Sequence, residues 1–142
     1  MKKINLGYGF KRVRVSGVTV QEPVLLATLT GDSDEKVNVT AILDTGSDFV
    51  LLPLEIAELL NLDLDKTKTD SAKTYAGTPL TTTISRVRIK LEKDREKIEF
   101  ACKCAVSLTK EAQHEYIIFC ASFLEHFKIL FDYPANRFHI KK

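Results

Sequence analysis

The sequence is short of most features that would place a protein quickly. No stretch is apolar for long enough to cross a bilayer. The longest nearly apolar run, residues 117–124, is far shorter than the roughly 20 residues a spanning helix needs, and Met1-Lys2-Lys3 leads into no apolar signal segment. Charge of one sign is also missing. The 21 basic and 19 acidic residues are scattered along 142 positions and leave a net charge of +2, so the chain has no footprint for nucleic acid. There are only three cysteines, and Cys102 and Cys104 sit two apart on one expected strand. A disulfide framework is excluded on that count, and a reducing cytoplasm is the expected compartment. Cys-x-Cys on a strand also lacks the geometry of a zinc knuckle, so no metal or other cofactor is expected. No internal repeat or low-complexity linker divides the chain. The expectation is therefore one soluble, unexported domain, with its 44% hydrophobic composition enough for one core.

What the sequence does contain is alternation. Residues 11–20 alternate and then change phase through Ser16-Gly17, as a bulge or tight turn requires. Pro23 opens the run 24–29, which Gly31-Asp32-Ser33-Asp34 terminates with turn chemistry. In the next run Val37, Val39, Ala41 and Leu43 share one face, leaving Asp44 on the other face at the strand end. After Leu52 the period changes. Ile56, Leu59 and Leu60 follow Pro53 at helical spacing, so a short helix is expected with Pro53 at its first position. Residues 61–70 are polar and read as a connection.

Residues 73–75 and 80–91 flank Ala76-Gly77-Thr78-Pro79 and predict a hairpin with the glycine at its tip. The charged residues 92–97 then read as a solvated turn. Along residues 98–106 the alternation places Ile98, Phe100, Cys102, Cys104 and Val106 inward, the cysteines as small core residues. Toward the C-terminus, an apolar strand precedes Ser122-Phe123-Leu124-Glu125. This capping-box pattern predicts a helix starting at Ser122. Residues 128–131 and 138–140 then predict a closing hairpin. The architecture is all-β, a small closed or partly closed barrel with one or two short helices.

Asp44 is the residue around which chemistry can be argued. Asp-Thr-Gly alone is ordinary turn composition. Its context is more specific, with an apolar strand before it, Ser47-Asp48 after it, then an apolar run, a proline and a helix. The segment Ile42-Leu43-Asp44-Thr45-Gly46-Ser47-Asp48-Phe49-Val50 resembles the active-site motif of retropepsin-like aspartic proteases. Residues 117–124 resemble that family's hydrophobic-hydrophobic-glycine motif and following helix, and residues 128–140 are similar to the closing hairpin of its retrotransposon-like and prokaryotic members. The resemblance covers roughly residues 23–140, leaving residues 1–22 as an extension: a dimer arm, a regulatory segment or an autoprocessing site.

The resemblance implies a barrel of the acid-protease type and an aspartic endopeptidase with an acidic optimum. Only one Asp-Thr-Gly is present, so it also implies a homodimer in which Asp44 of each copy forms the catalytic pair. Thr45 would bond across the two-fold axis, and Gly46 would let substrate backbone approach. Ser47 would donate toward Asp44, and Asp48 would contact substrate. Tyr75, Ala76 and Gly77 would belong to a flap closing over an extended peptide or unfolded protein. The chain departs from the family pattern at Cys120, where glycine is usual, at Ala121 in place of arginine, and at Ser122 in place of aspartate or asparagine. The alternative is a catalytically silent dimer of the same fold that binds peptides or scaffolds a partner. His114, His126 and His139 are scattered and form no triad, and Asp63, Asp65 and Asp70 lack the glycine and glutamate of a calcium loop. No membrane or nucleic-acid partner is expected.

Overall fold

A computed structural model describes residues 3–46, 48–73, 79–109 and 117–142. The chain is mostly β, in the order β1 (Asn5–Gly9), β2 (Lys11–Val15), β3 (Val18–Glu22), β4 (Val24–Thr30), β5 (Lys36–Leu43) and β6 (Val50–Leu52). Then follow α1 (Leu54–Leu59), β7 (Asp70–Lys73), β8 (Pro79–Lys93), β9 (Glu96–Ser107), β10 (Ile117–Phe119), α2 (Ala121–Leu124), β11 (Lys128–Asp132) and β12 (Arg137–Lys141).

Six strands in the order β4-β5-β10-β6-β9-β8 close into a barrel, because β8 pairs back onto β4 from Thr28↔Lys90 to Thr30↔Arg88. β7 adds to the free side of β8, with Lys73 opposite Pro79 at the end of their ladder. Closure removes most of the unpaired edge that an open sheet would expose. The expected alternation is met. Val39, Ala41 and Leu43 are buried on β5, and Cys102, Cys104 and Val106 on β9. All three cysteines are buried thiols.

Two hairpins turn through adjacent residues of positive φ. Ser16 (51°) and Gly17 (79°) join β2 to β3, and Asp94 (51°) and Arg95 (70°) join β8 to β9. This backbone form matches the right-handed twist of the strands it connects. It resolves the phase change after Val15 as a tight turn.

A second sheet, β1-β12-β11, lies outside the barrel and shares its core. Ile4, Leu6 and Tyr8 of the N-terminal segment are buried together with Phe138 and Ile140, and Tyr8 stacks on Phe138 at 5.1 Å. Among the described residues, β2 and β3 pair only with one another.

Two helix starts differ from expectation by one residue. Pro53, with φ −63° and ψ 150°, is the N-cap of α1 and not its first helical residue. Extended ψ is what the residue entering a helix adopts, so the proline ring fixes φ there without loss of a helical N–H. α2 begins at Ala121 with Cys120 as its extended N-cap, so Ser122 lies inside the helix and the expected capping box does not form. Its side chain is used elsewhere.

Candidate active site

Asp44 stands where β5 ends and the chain turns over β10. β10 lies between β5 and β6, parallel to the first with Phe119 opposite Leu43, and antiparallel to the second with Ile118 opposite Leu51. The loop of residues 44–49 must therefore pass over the end of β10. Its first amide is fixed there, with the Asp44 N–H donating to the Phe119 carbonyl at 3.0 Å. One residue earlier, the Leu43 N–H donates to the Pro23 carbonyl at 3.1 Å. The Gly46 N–H donates to Asp44 Oδ1 at 2.8 Å, closing a tight side-chain turn that orients the carboxylate. Asp44 is half-buried, while Thr45, Gly46 and Asp48 are exposed. An acid is thus held on rigid backbone with one oxygen bonded and the group still open to solvent.

The far end of the loop is held from beneath. The Ser122 N–H donates to the Asp48 carbonyl at 2.8 Å. Ser122 Oγ accepts the Val50 N–H at 2.9 Å and donates to the Lys103 carbonyl at 2.8 Å. One buried serine of α2 therefore ties together the exit of the loop, the first residue of β6 and strand β9. In the sequence, Glu125 three residues on predicts only a local cap for Ser122. No sequence signal marked the three long-range bonds.

The floor is aromatic. Phe119 and Phe123 are fully buried and stack at 4.5 Å, and Phe100 and Phe127 pack on Phe123 at 5.7 and 5.3 Å. Cys120 is fully buried between them in sequence, with φ −110° and ψ −158°. That backbone conformation is open to any residue, so glycine is not required here. The Asp44 to Phe119 bond forms with the cysteine in place.

Of the expected site residues, Asp44, Thr45, Gly46 and Asp48 fall in one loop. Ser47, Tyr75, Ala76 and Gly77 lie outside the described residues. Asp63 and Asp65 lie in the connection after α1 and Asp70 begins β7, and the Asp65 carboxyl is held below its usual range by hydrogen bonds from Thr67. His126 lies against the Phe100 ring at 4.7 Å and His139 contacts Asn5 at 3.2 Å, while His114 lies outside the described residues. Among the described residues there is no cluster of metal ligands, and no helix is long and apolar enough to cross a membrane.

A family model described as aspartyl protease matches residues 27–107, more than half the chain. The chain belongs to the aspartyl protease family. The match takes in Asp44 and its strand, the loop over β10, α1 and both long strands β8 and β9. Among solved structures, a retropepsin-like aspartic protease from Rickettsia conorii matches with a TM-score of 0.59 at 20% identity, covering 99% of this chain and 94% of that one. At that identity the likeness is one of fold, and it makes this aspartyl protease domain retropepsin-like. EIAV protease, solved with the inhibitor HBY-793, matches with a TM-score of 0.47 at 17% identity over 74% of this chain and 86% of that one. The retroviral protease-like domain of Ddi1 from Leishmania major matches with a TM-score of 0.47 at 18% identity over 82% and 87%. No curated protein sequence matches the chain.

Proposed function

We propose that this chain is an aspartic endopeptidase that acts as a homodimer, pairing Asp44 with Asp44 of a second copy. The observation that carries the reading is the Asp44 loop itself. It has a single half-buried carboxylate, oriented by the Gly46 N–H and tethered to Phe119, in a chain of the aspartyl protease family with no second Asp-Thr-Gly. Peptide hydrolysis by acid–base chemistry needs two groups in opposite protonation states. An ionised carboxylate takes a proton from the attacking water while its protonated partner donates to the scissile carbonyl. Two carboxyls brought together share one proton, which sets an acidic working range. A two-fold axis beside Asp44 supplies the pair from one gene product.

In this reading exposed Thr45 bonds across the axis, Gly46 gives the substrate backbone close approach, and Ser47 donates toward the acid. Asp48, tethered through its own carbonyl, holds the substrate backbone. The hairpin of β7 and β8 leads to and from Tyr75, Ala76 and Gly77, the residues assigned to close over an extended peptide. Three buried thiols accord with a reducing, cytoplasmic setting.

The test is cleavage of an unstructured protein at mildly acidic pH, with inhibition by a statine-type transition-state mimic. Asp44→Asn is expected to lower the rate by ~100–10,000-fold, the usual contribution of acid–base groups, with an unchanged circular dichroism spectrum. A dimer that cleaves nothing across a broad peptide library would instead make the domain a silent peptide binder or scaffold.

A further inference from the structure

The hairpin of β2 and β3 is built differently from the rest of the molecule. Its ladder runs from Lys11↔Glu22 at the root to Val15↔Val18 at the tip, and neither strand pairs with any other among the described residues. The register gives it two unlike faces. Val13 and Val20 are directly opposite each other, with Val18 on the same face, while Arg12, Arg14, Thr19 and Gln21 occupy the other. None of these valines enters the core cluster; Val18 is 61% exposed, and Val13 and Val20 are half-buried. A lone two-stranded ribbon is marginal in water, so an amphipathic one whose apolar face is only partly covered is built for a surface beyond its own chain.

The root of the hairpin identifies that surface. β3 ends at Glu22, and the next residue, Pro23, accepts the Leu43 N–H at 3.1 Å, one residue before Asp44. The arm therefore leaves the body beside the residue that must meet its counterpart on a two-fold axis. Five residues of extended chain reach roughly 17 Å, enough to pass from that root onto a molecule across the axis. We propose that the β2–β3 hairpin is a dimerisation arm that lays its valine face on a second copy of this chain. The proposal rests on the reading of Asp44 as half of a paired site. It adds that pairing is secured by an arm outside the barrel, exchanged symmetrically between the two copies.

Sedimentation of the full chain tests the arm against that reading. The wild type is expected to be a dimer. Val18→Lys is expected to weaken dimerisation about a hundredfold, since a two-fold dimer loses the contact twice at about tenfold each. Because Val18 is an exposed turn-flanking residue, the variant should keep the wild-type circular dichroism spectrum. In a second measurement, a photo-crosslinking amino acid replaces Val18 in a mixture of isotopically heavy and light chains. Heavy-to-light crosslinks are expected. If Val18→Lys dimerises as tightly as wild type, or the crosslinks stay within one chain, the arm is overturned while the homodimer stands. A wild-type chain that remains monomeric at high micromolar concentration would overturn the homodimer as well.

Discussion

Ser122 Oγ accepts the backbone N–H of Val50 at 2.9 Å, joining two residues 72 positions apart at the exit of the Asp44 loop. Val50 is fully buried, so its amide has no access to water if that acceptor is removed. The same hydroxyl donates to the Lys103 carbonyl. Ser122→Ala therefore strands the buried Val50 donor, while the Lys103 carbonyl keeps the Cys102 thiol as a donor at 3.3 Å, and the substitution is expected to cost about 1–3 kcal/mol. The loop should also loosen, because the Ser122 backbone and Val50 together fix the position of Asp48. Urea unfolding measures the first effect, and a fall in kcat larger than any change in KM measures the second. Unchanged stability would show that the network carries no net energy.

At Gly31 the backbone leaves no room for a side chain. A Cβ there would lie 1.8 Å from the Leu60 carbonyl oxygen and 2.7 Å from its carbon, both of them backbone atoms. The turn between β4 and β5 thus sits directly on the C-terminus of α1, the helix that follows β6 out of the Asp44 loop. Gly31→Ala must push helix and turn apart, and a cost of roughly 3 kcal/mol or more is expected from overpacking. The midpoint of thermal unfolding checks it. A shift indistinguishable from zero would mean that the turn can slide.

Much of this was legible in the residues. Val37, Val39, Ala41 and Leu43 give β5 its face, residues 98–106 give β9, and the residues around Asp44 by themselves point to the aspartyl protease family. What escaped was non-local. β1 is weakly marked, because Gly7 and Gly9, poor strand formers, fill the positions between Leu6, Tyr8 and Phe10, and its burial depends on β12, over 120 residues away. Ser122 carries a local capping pattern in the sequence, whereas Val50 and Lys103 reach it only through the fold. Closure of β8 onto β4 is likewise set by long-range register, which no window of sequence contains.

Burial of three weak acids sets an alkaline limit on stability. Burial pushes Tyr8 up to about 12, with the Asp94 charge adding to it, Cys102 up to about 11 and Cys104 up to about 12. An unfolded chain releases these protons near the ordinary values of 9.0 for cysteine and 10.0 for tyrosine, while the folded chain still holds them. The unfolded state then binds fewer protons, so stability falls as pH rises. It is fully present below about pH 9 and should decline through about pH 11–12. The Tyr8 hydroxyl is buried and meets no hydrogen-bond partner among the described residues. Tyr8→Phe should therefore cost nothing at neutral pH and make the alkaline decline shallower. Urea midpoints against pH for both proteins decide the matter, and a wild-type profile flat to about pH 11 would refute it.

Cys120→Gly restores the glycine usual in the family and separates two explanations of the cysteine. If Cys120 distorted the loop above it, glycine would raise activity. The geometry predicts otherwise. The Asp44 N–H already reaches the Phe119 carbonyl at 3.0 Å, and the backbone of Cys120 is extended with negative φ, so no strain awaits relief. The side chain is fully buried beside the stacked Phe119 and Phe123, and its removal leaves a small cavity while adding glycine's extra freedom to the unfolded chain. The variant is expected to lose about 1–3 kcal/mol of stability with kcat/KM unchanged or lower. Parallel urea unfolding and peptide-cleavage assays check both halves. A more active and equally stable variant would show that the cysteine restrains the Asp44 loop.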